Sequence, residues 1–289
     1  MSSTLKRNVV QTLTGRPSSD GDGVKLTRVF GGAQAELFDP FLMLDEFGSD
    51  EAADYVGGFP SHPHRGFETV TYMLDGRMLH QDHLGNRGLL EPGGVQWMTA
   101  GRGIIHSEMP QQDSGRMRGF QLWLNLPAAE KMQPAAYRDL RPDDVPSFSL
   151  ASGASIKLIA GELNVDGQVL VGAITDRSTR PLYLDLHLQA DQTVELPVAA
   201  ELNALLYLYE GSARIEGEHA AVDIHKGQLA RLGEGDRVEM LSGRDGAKLL
   251  LIAGKPLREP IVQYGPFVMN RREEIEQALK DYRDGNFGA

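Results

Sequence analysis

Apolar and polar positions in this chain alternate over short stretches and seldom keep the wider spacing of an amphipathic helix. Phe67-Glu-Thr-Val-Thr-Tyr-Met73 and Leu202 to Tyr209 are typical, short and rich in Val, Leu, Thr and Tyr. Glycine and proline, 33 and 15 in number, are spread throughout and break the chain between such stretches. Short strands between frequent turns predict an all-β sandwich or barrel. The C-terminus is the exception. Asn270 can cap a helix with Glu273 closing a capping box, Ile275, Ala278, Leu279 and Tyr282 fall on one face, and the helix should end near Gly285.

Two prolines and two aspartates in Arg141-Pro-Asp-Asp-Val-Pro146 interrupt both patterns and mark a linker that divides the chain nearly in half. The halves repeat weakly. Tyr72-Met-Leu-Asp-Gly76 matches Tyr207-Leu-Tyr-Glu-Gly211, and further turns follow at Gly93 and Gly227, spacings of 17 and 16 residues. Each half is expected to hold a hairpin at the acidic-Gly turn and a later Gly turn leading into Val95-Gln-Trp-Met98 or Leu229-Ala-Arg-Leu232. The expected division is 1–140, 147–260, and a tail with helix at 261–289.

Composition supports two domains, since 289 residues with 41% hydrophobic side chains exceed one ordinary core. The net charge of -11 would repel a phosphate backbone, so direct nucleic-acid binding is not expected. Neither a signal-like apolar run near the start nor a membrane-length apolar stretch is present, and a cytoplasmic location is expected. With no cysteine, disulfides and thiolate chemistry are excluded, and a metal would have to sit on His, Asp or Glu.

Five of the eight histidines lie between positions 62 and 106, two of them in Ser61-His62-Pro63-His64. Residues two apart on a strand share a face, so His62 and His64 can aim into a barrel interior, and His106 with Glu108 repeats that spacing. Two such pairs facing one another offer three imidazoles and a carboxylate, suited to Fe(II), Ni(II), Cu(II), Mn(II) or Zn(II). Chance His-x-His pairs on exposed strands are common, but two pairs in apolar, turn-rich surroundings are less so. His80 and His83, flanking Gln81-Asp82, read as solvated, with at most a lesser role at a site mouth. His187, His219 and His225 are isolated and read as surface residues.

Gly57-Gly-Phe-Pro-Ser-His-Pro-His-Arg-Gly-Phe-Glu-Thr-Val-Thr-Tyr72 and Gln96-Trp-Met-Thr-Ala-Gly-Arg-Gly-Ile-Ile-His-Ser-Glu-Met-Pro110 resemble the two signature stretches of the pirins, a branch of the cupin superfamily. Gln121-Leu-Trp-Leu-Asn-Leu126 and Gly265-Pro-Phe-Val-Met-Asn270 extend the resemblance over nearly the whole chain. It implies a bicupin, two tandem antiparallel jelly-roll barrels with a C-terminal helix and one metal ion in the first barrel. By position the pirin ligands fall on His62, His64, His106 and Glu108, the four that the spacing selects. Other cupins take their carboxylate from the first motif, here Glu68, which is the rival to Glu108. Trp97 stands where the general cupin second motif has a histidine, as in pirins. Counting from Gly211 and Gly227, the matching positions of the second half fall on Pro197, Ala199, Met240 and Ser242, so that barrel is expected to have lost its site.

The resemblance further implies quercetin 2,3-dioxygenase activity, with a flavonol-like molecule and O2 as partners and Fe(II) as the expected ion, Ni, Cu, Mn or Zn being compatible. Glu108 is then also the candidate base for the flavonol 3-hydroxyl. Phe59, Phe67, Trp97 and Met98 are candidate apolar walls or else strand-core residues, and Arg65 and Glu68 a candidate supporting ion pair or a solvated strand pair. The rival class is a redox-responsive regulator that binds a transcription factor or a central metabolic enzyme through the same site. A monomer without membrane association is expected.

Overall fold

A computed structural model describes residues 5–288 of the chain. It contains two compact units that are not the two halves of the sequence. One comprises the segment ending at Gly15 together with Val145–Pro256, and the other Arg16–Asp144 together with the chain from Leu257 onward. The break between Asp144 and Val145 falls inside the expected linker, but the chain up to Gly15 joins the later unit and the segment from Leu257 joins the earlier one. The N-terminal strand Val9–Thr14 pairs antiparallel with Gln228–Leu232 and extends the later unit's sheet. The C-terminal segment packs Phe267, Met269, Ile275, Ala278 and Phe287 into one apolar cluster with the half-buried Ile105.

In the unit of Val145–Pro256, nine strands form one sheet around an aliphatic core. Leu182, Leu184, Leu186 and Leu188, alternate residues of one strand, all enter that core. Each such burial contributes about 1.5–3 kcal/mol.

In the unit of Arg16–Asp144, seven antiparallel strands run in the order Ala136–Leu140, Val95–Thr99, Phe67–Asp75, Met117–Asn125, Phe41–Ser49, Val24–Phe30, Arg16–Asp20. Four more form a second sheet, Phe59–His64, Ile104–Pro110, Met78–Asp82, Arg87–Leu90. The architecture is the expected bicupin, with jelly-roll sheets left open rather than closed into barrels.

The internal repeat is visible in the hydrogen bonding. Gly93 N–H donates to the Met73 carbonyl (2.7 Å), and Gly227 N–H to the Leu208 carbonyl (2.8 Å), so Tyr72 and Tyr207 precede equivalent acceptors. Gly76 and Gly211 do not close hairpins as expected. Gly76 (φ 80°) bends the chain from the seven-stranded to the four-stranded sheet, and Gly211 (φ 79°) lies within one long strand, Asn203–Glu216. Both hold a left-handed conformation that glycine adopts without steric cost.

One α-helix, Arg272–Arg283, is present among the described residues. Its capping carboxylate is Glu274, not Glu273, and accepts from the Asn270 and Arg271 amides at 3.0 Å each. The Asn270 side chain is engaged elsewhere, donating to Glu259 and the Pro260 carbonyl. Ile275 and Ala278 are buried, whereas Leu279 and Tyr282 are exposed, so the apolar face is narrower than the sequence suggests. The helix closes at Gly285 (φ 75°). No helix of the described residues is long and apolar enough to cross a membrane.

Candidate metal centre

Phe59–His64 is an edge strand, and this explains how it carries Pro60 and Pro63. A proline has no N–H for a ladder bond and is tolerated where one side of a strand has no neighbour. Glycines in left-handed conformation bracket it, Gly58 (φ 61°) and Gly66 (φ 88°). A Cβ on Gly66 would sit 2.0 Å from the Val268 carbonyl oxygen, so only glycine permits that close approach.

The strand pairs with Ile104–Pro110, placing His106 directly opposite His62, with an irregularity before Glu108, which stands opposite Phe59. The two histidine-bearing pairs therefore lie on neighbouring strands, not across a barrel. Imidazole centroids are 4.7 Å apart for His62 and His64, 4.3 Å for His62 and His106, and 4.8 Å for His64 and His106. One donor atom from each ring falls within 4.8 Å of the others, the one trio of potential ligands to converge in this way among the described residues.

His64 and His106 are almost completely buried. Burial, with the neighbouring imidazoles adding to it, pushes both well below the ordinary histidine pKa and keeps them neutral, the form that binds metal. Neither His64 nitrogen nor His106 Nε2 has a hydrogen-bond partner of good geometry. His62 is half-buried, and its Nδ1 lies 2.8 Å from the Pro60 carbonyl, which engages that nitrogen and leaves Nε2 as the available donor. Buried imidazole nitrogens without protein partners fit a divalent transition metal, and neutral imidazole is a suitable donor for it.

Glu108 lies beside the trio rather than within it. Its carboxylate is buried and accepts from Gln121 Nε2 at 3.0 Å and from Thr71 Oγ1 at 3.2 Å. Trp123 Nε1, which can only donate, binds Gln121 Oε1 at 3.0 Å. That contact turns the amide so that its NH2 group faces Glu108. Glu68 points the other way. Thr71 reaches Glu108 from the inner face of Phe67–Asp75, and Glu68, of opposite parity on that strand, instead accepts from its cross-strand neighbour Thr99 at 2.6 Å.

A cavity of about 660 Å³ opens onto the centre. His62, His64, Glu108 and Gln121 are among its polar lining, and Leu26, Met43, Phe47, Phe59 and Trp123 among its apolar lining. The Arg28 guanidinium and the Asp45 carboxylate, also in the lining, meet in a two-point ion pair at 3.0 and 2.8 Å. Of the four walls expected from sequence, only Phe59 lines the cavity. Phe67 packs under Trp123 and His64, Met98 joins Ala100 and Ile104, and Trp97 is buried on the outward-facing parity, opposite Val70. The expected Arg65–Glu68 pair is absent. Arg65 reaches Asp281 of the C-terminal helix at 2.7 Å and lies 4.5 Å over the Phe287 ring.

His80 was expected in solvent and is instead 1% exposed. On Met78–Asp82 the buried residues are Met78 and His80, while Gln81 is exposed, an alternation that the sequence carried. His83 is exposed, as are His219 and His225, and His187 is partly so. In the other unit, Met240 is fully buried in the aliphatic core.

The pirin family model matches residues 23–124, and that of the pirin C-terminal cupin domain matches residues 183–288. The chain belongs to the pirin family. This pirin is 59% identical over 283 residues to a protein of Pseudomonas aeruginosa whose name assigns quercetin 2,3-dioxygenase activity provisionally, with 98% of each chain covered. It is 49% identical to a pirin-like protein of Caulobacter vibrioides, covering 97% of this chain and 99% of the other. Among solved structures, quercetin 2,3-dioxygenase from Acinetobacter baumannii superimposes with a TM-score of 0.88 at 32% identity, covering 98% of this pirin and 99% of that chain.

Proposed function

We propose that this pirin is a metal-dependent dioxygenase that opens the central ring of flavonols such as quercetin, with O2 as the oxidant and carbon monoxide released. The observation that carries this reading is the cavity of about 660 Å³ that His62, His64 and Glu108 help to line. It falls in the range of small-molecule sites, about 300–1,000 Å³. Relatives named for quercetin dioxygenation support the same substrate class. A redox-responsive regulator would use the same ligands but has no need of such a cavity.

His62, His64, His106 and Glu108 would hold the ion, Fe(II) being the expected one. When bound, the ion would supply Lewis acidity toward the flavonol's 3-hydroxy-4-keto group and a redox-capable centre for O2. The remaining roles belong to the chain. Glu108 is the carboxylate available to take the 3-hydroxyl proton, and Gln121, fixed by Trp123, holds it in place. Phe47, Phe59 and Trp123 offer flat apolar surface to the substrate rings and exclude water, while Arg28 and Asp45 offer hydrogen bonds to peripheral hydroxyls.

The test is O2 uptake with quercetin by protein loaded separately with Fe(II), Ni(II), Cu(II) and Mn(II). Turnover with at least one ion, abolished in His106→Ala, is expected. Absence of turnover with all four would leave the regulatory reading, to be pursued through a partner that binds one redox state only.

A further inference from the structure

The buried histidine behind the centre has no part in the ligand set. His80 stands directly across from Glu108 on the neighbouring strand, and its ring centroid lies 4.7 Å from that of His106. The two Nδ1 atoms are 3.3 Å apart. His80 Nε2 is buried with no hydrogen-bond partner among the described residues, as is His106 Nε2.

We infer that His80 is a positioning residue that sets the tautomer of His106 by accepting its Nδ1–H. The inference rests on the proposed ligand role of His106. A neutral imidazole carries a single N–H, so the contact between the two Nδ1 atoms works only if one ring donates and the other accepts. Were His80 the donor, the proton of His106 would sit on Nε2, the nitrogen left free to reach His62 and His64, and would block it as a ligand. With His106 as the donor, Nε2 presents its lone pair to the centre, and the proton of His80 resides on its own Nε2. Metal-binding histidines almost always donate their second nitrogen to a carboxylate, carbonyl or water. Here a neutral imidazole fills that place. It orients His106 without adding negative charge, so Glu108 remains the only anionic member of the proposed ligand set.

His80→Phe keeps the ring's bulk and removes the acceptor. His80→Asn places an amide oxygen near the former Nδ1 position and restores it. In chelator competition with Ni(II), His80→Phe should bind about 10- to 100-fold more weakly than wild type, and His80→Asn should recover most of that loss. Nitrogen-15 spectra of the wild-type protein loaded with Zn(II) should show His106 carrying its proton on Nδ1, slowly exchanging, without recourse to any variant. Wild-type affinity in His80→Phe, or a proton on His106 Nε2 in the loaded protein, would overturn the inference. His106→Ala separates the two levels: if it binds Ni(II) as tightly as wild type, the ligand reading fails, whereas if it loses the metal and His80→Phe does not, only the role of His80 fails.

Discussion

Glu108 and Glu68 are both buried carboxylates next to signature histidines, and replacing each in turn by glutamine separates their roles. Glu108→Gln keeps the shape of the side chain and removes its charge. If Glu108 is a ligand, affinity should fall by more than the about 100-fold seen for supporting residues, a loss above about 2.7 kcal/mol. Glu68→Gln acts on the opposite face, where the carboxylate takes the Thr99 hydroxyl at 2.6 Å. Weakening one hydrogen bond to a buried charge should cost about 1–3 kcal/mol of folding stability and leave metal affinity within a few-fold. Competition of Ni(II) against a chromophoric chelator measures the first quantity and urea unfolding of the metal-free protein the second. A larger loss of affinity in Glu68→Gln than in Glu108→Gln would refute the face assignment and return this chain to the general cupin pattern.

Three further outcomes follow from particular contacts. Lys131 is buried and donates to the Gly66 carbonyl, Asn125 Oδ1 and the Val268 carbonyl, although burial pushes its pKa down to about 7. Lys131→Met removes all three bonds, although Asn125 Oδ1 keeps the Leu126 amide as a donor, and should lower the unfolding free energy by about 2–4 kcal/mol in urea titrations, an unchanged midpoint being the contrary result. Because burial holds His64 and His106 below the unfolded value of about 6.5, the unfolded chain binds more protons in mild acid. Metal-free protein should therefore lose stability as pH falls below about 6.5, by up to about 1.4 kcal/mol per pH unit for each group, and a flat profile between pH 7 and 5 would contradict this. Arg28→Gln should raise the flavonol KM by about 3- to 10-fold, the worth of one hydrogen bond, with metal content unchanged, and an unaltered KM would remove Arg28 from the substrate wall.

Much of the fold was legible because strand alternation and turn glycines are local signals. The repeat around Tyr72 and Tyr207 even located equivalent hydrogen bonds, at Met73 and Leu208. The His-x-His spacing likewise anticipated that His62 and His64 share a face, since a strand puts residues two apart on one side, whereas their approach to His106 depends on strand pairing. Long-range pairing was not legible. Nothing near Val9 announces its partner strand at Gln228–Leu232, and the Arg65–Asp281 pair spans 216 residues. His80 could have been found. Its burial follows the alternation from Met78, but the polar neighbours Gln81 and Asp82 outweighed that short pattern. The roles of Gln121 and Trp123 depend on two sheets meeting, which no single strand's sequence records.

The most direct measurement of the central claim is an anomalous difference map from crystals grown with Fe(II) or Ni(II). One strong peak per chain is expected, within bonding distance of nitrogens from His62, His64 and His106 and of a Glu108 oxygen. A peak elsewhere, or one whose carboxylate ligand is Glu68, would contradict that claim.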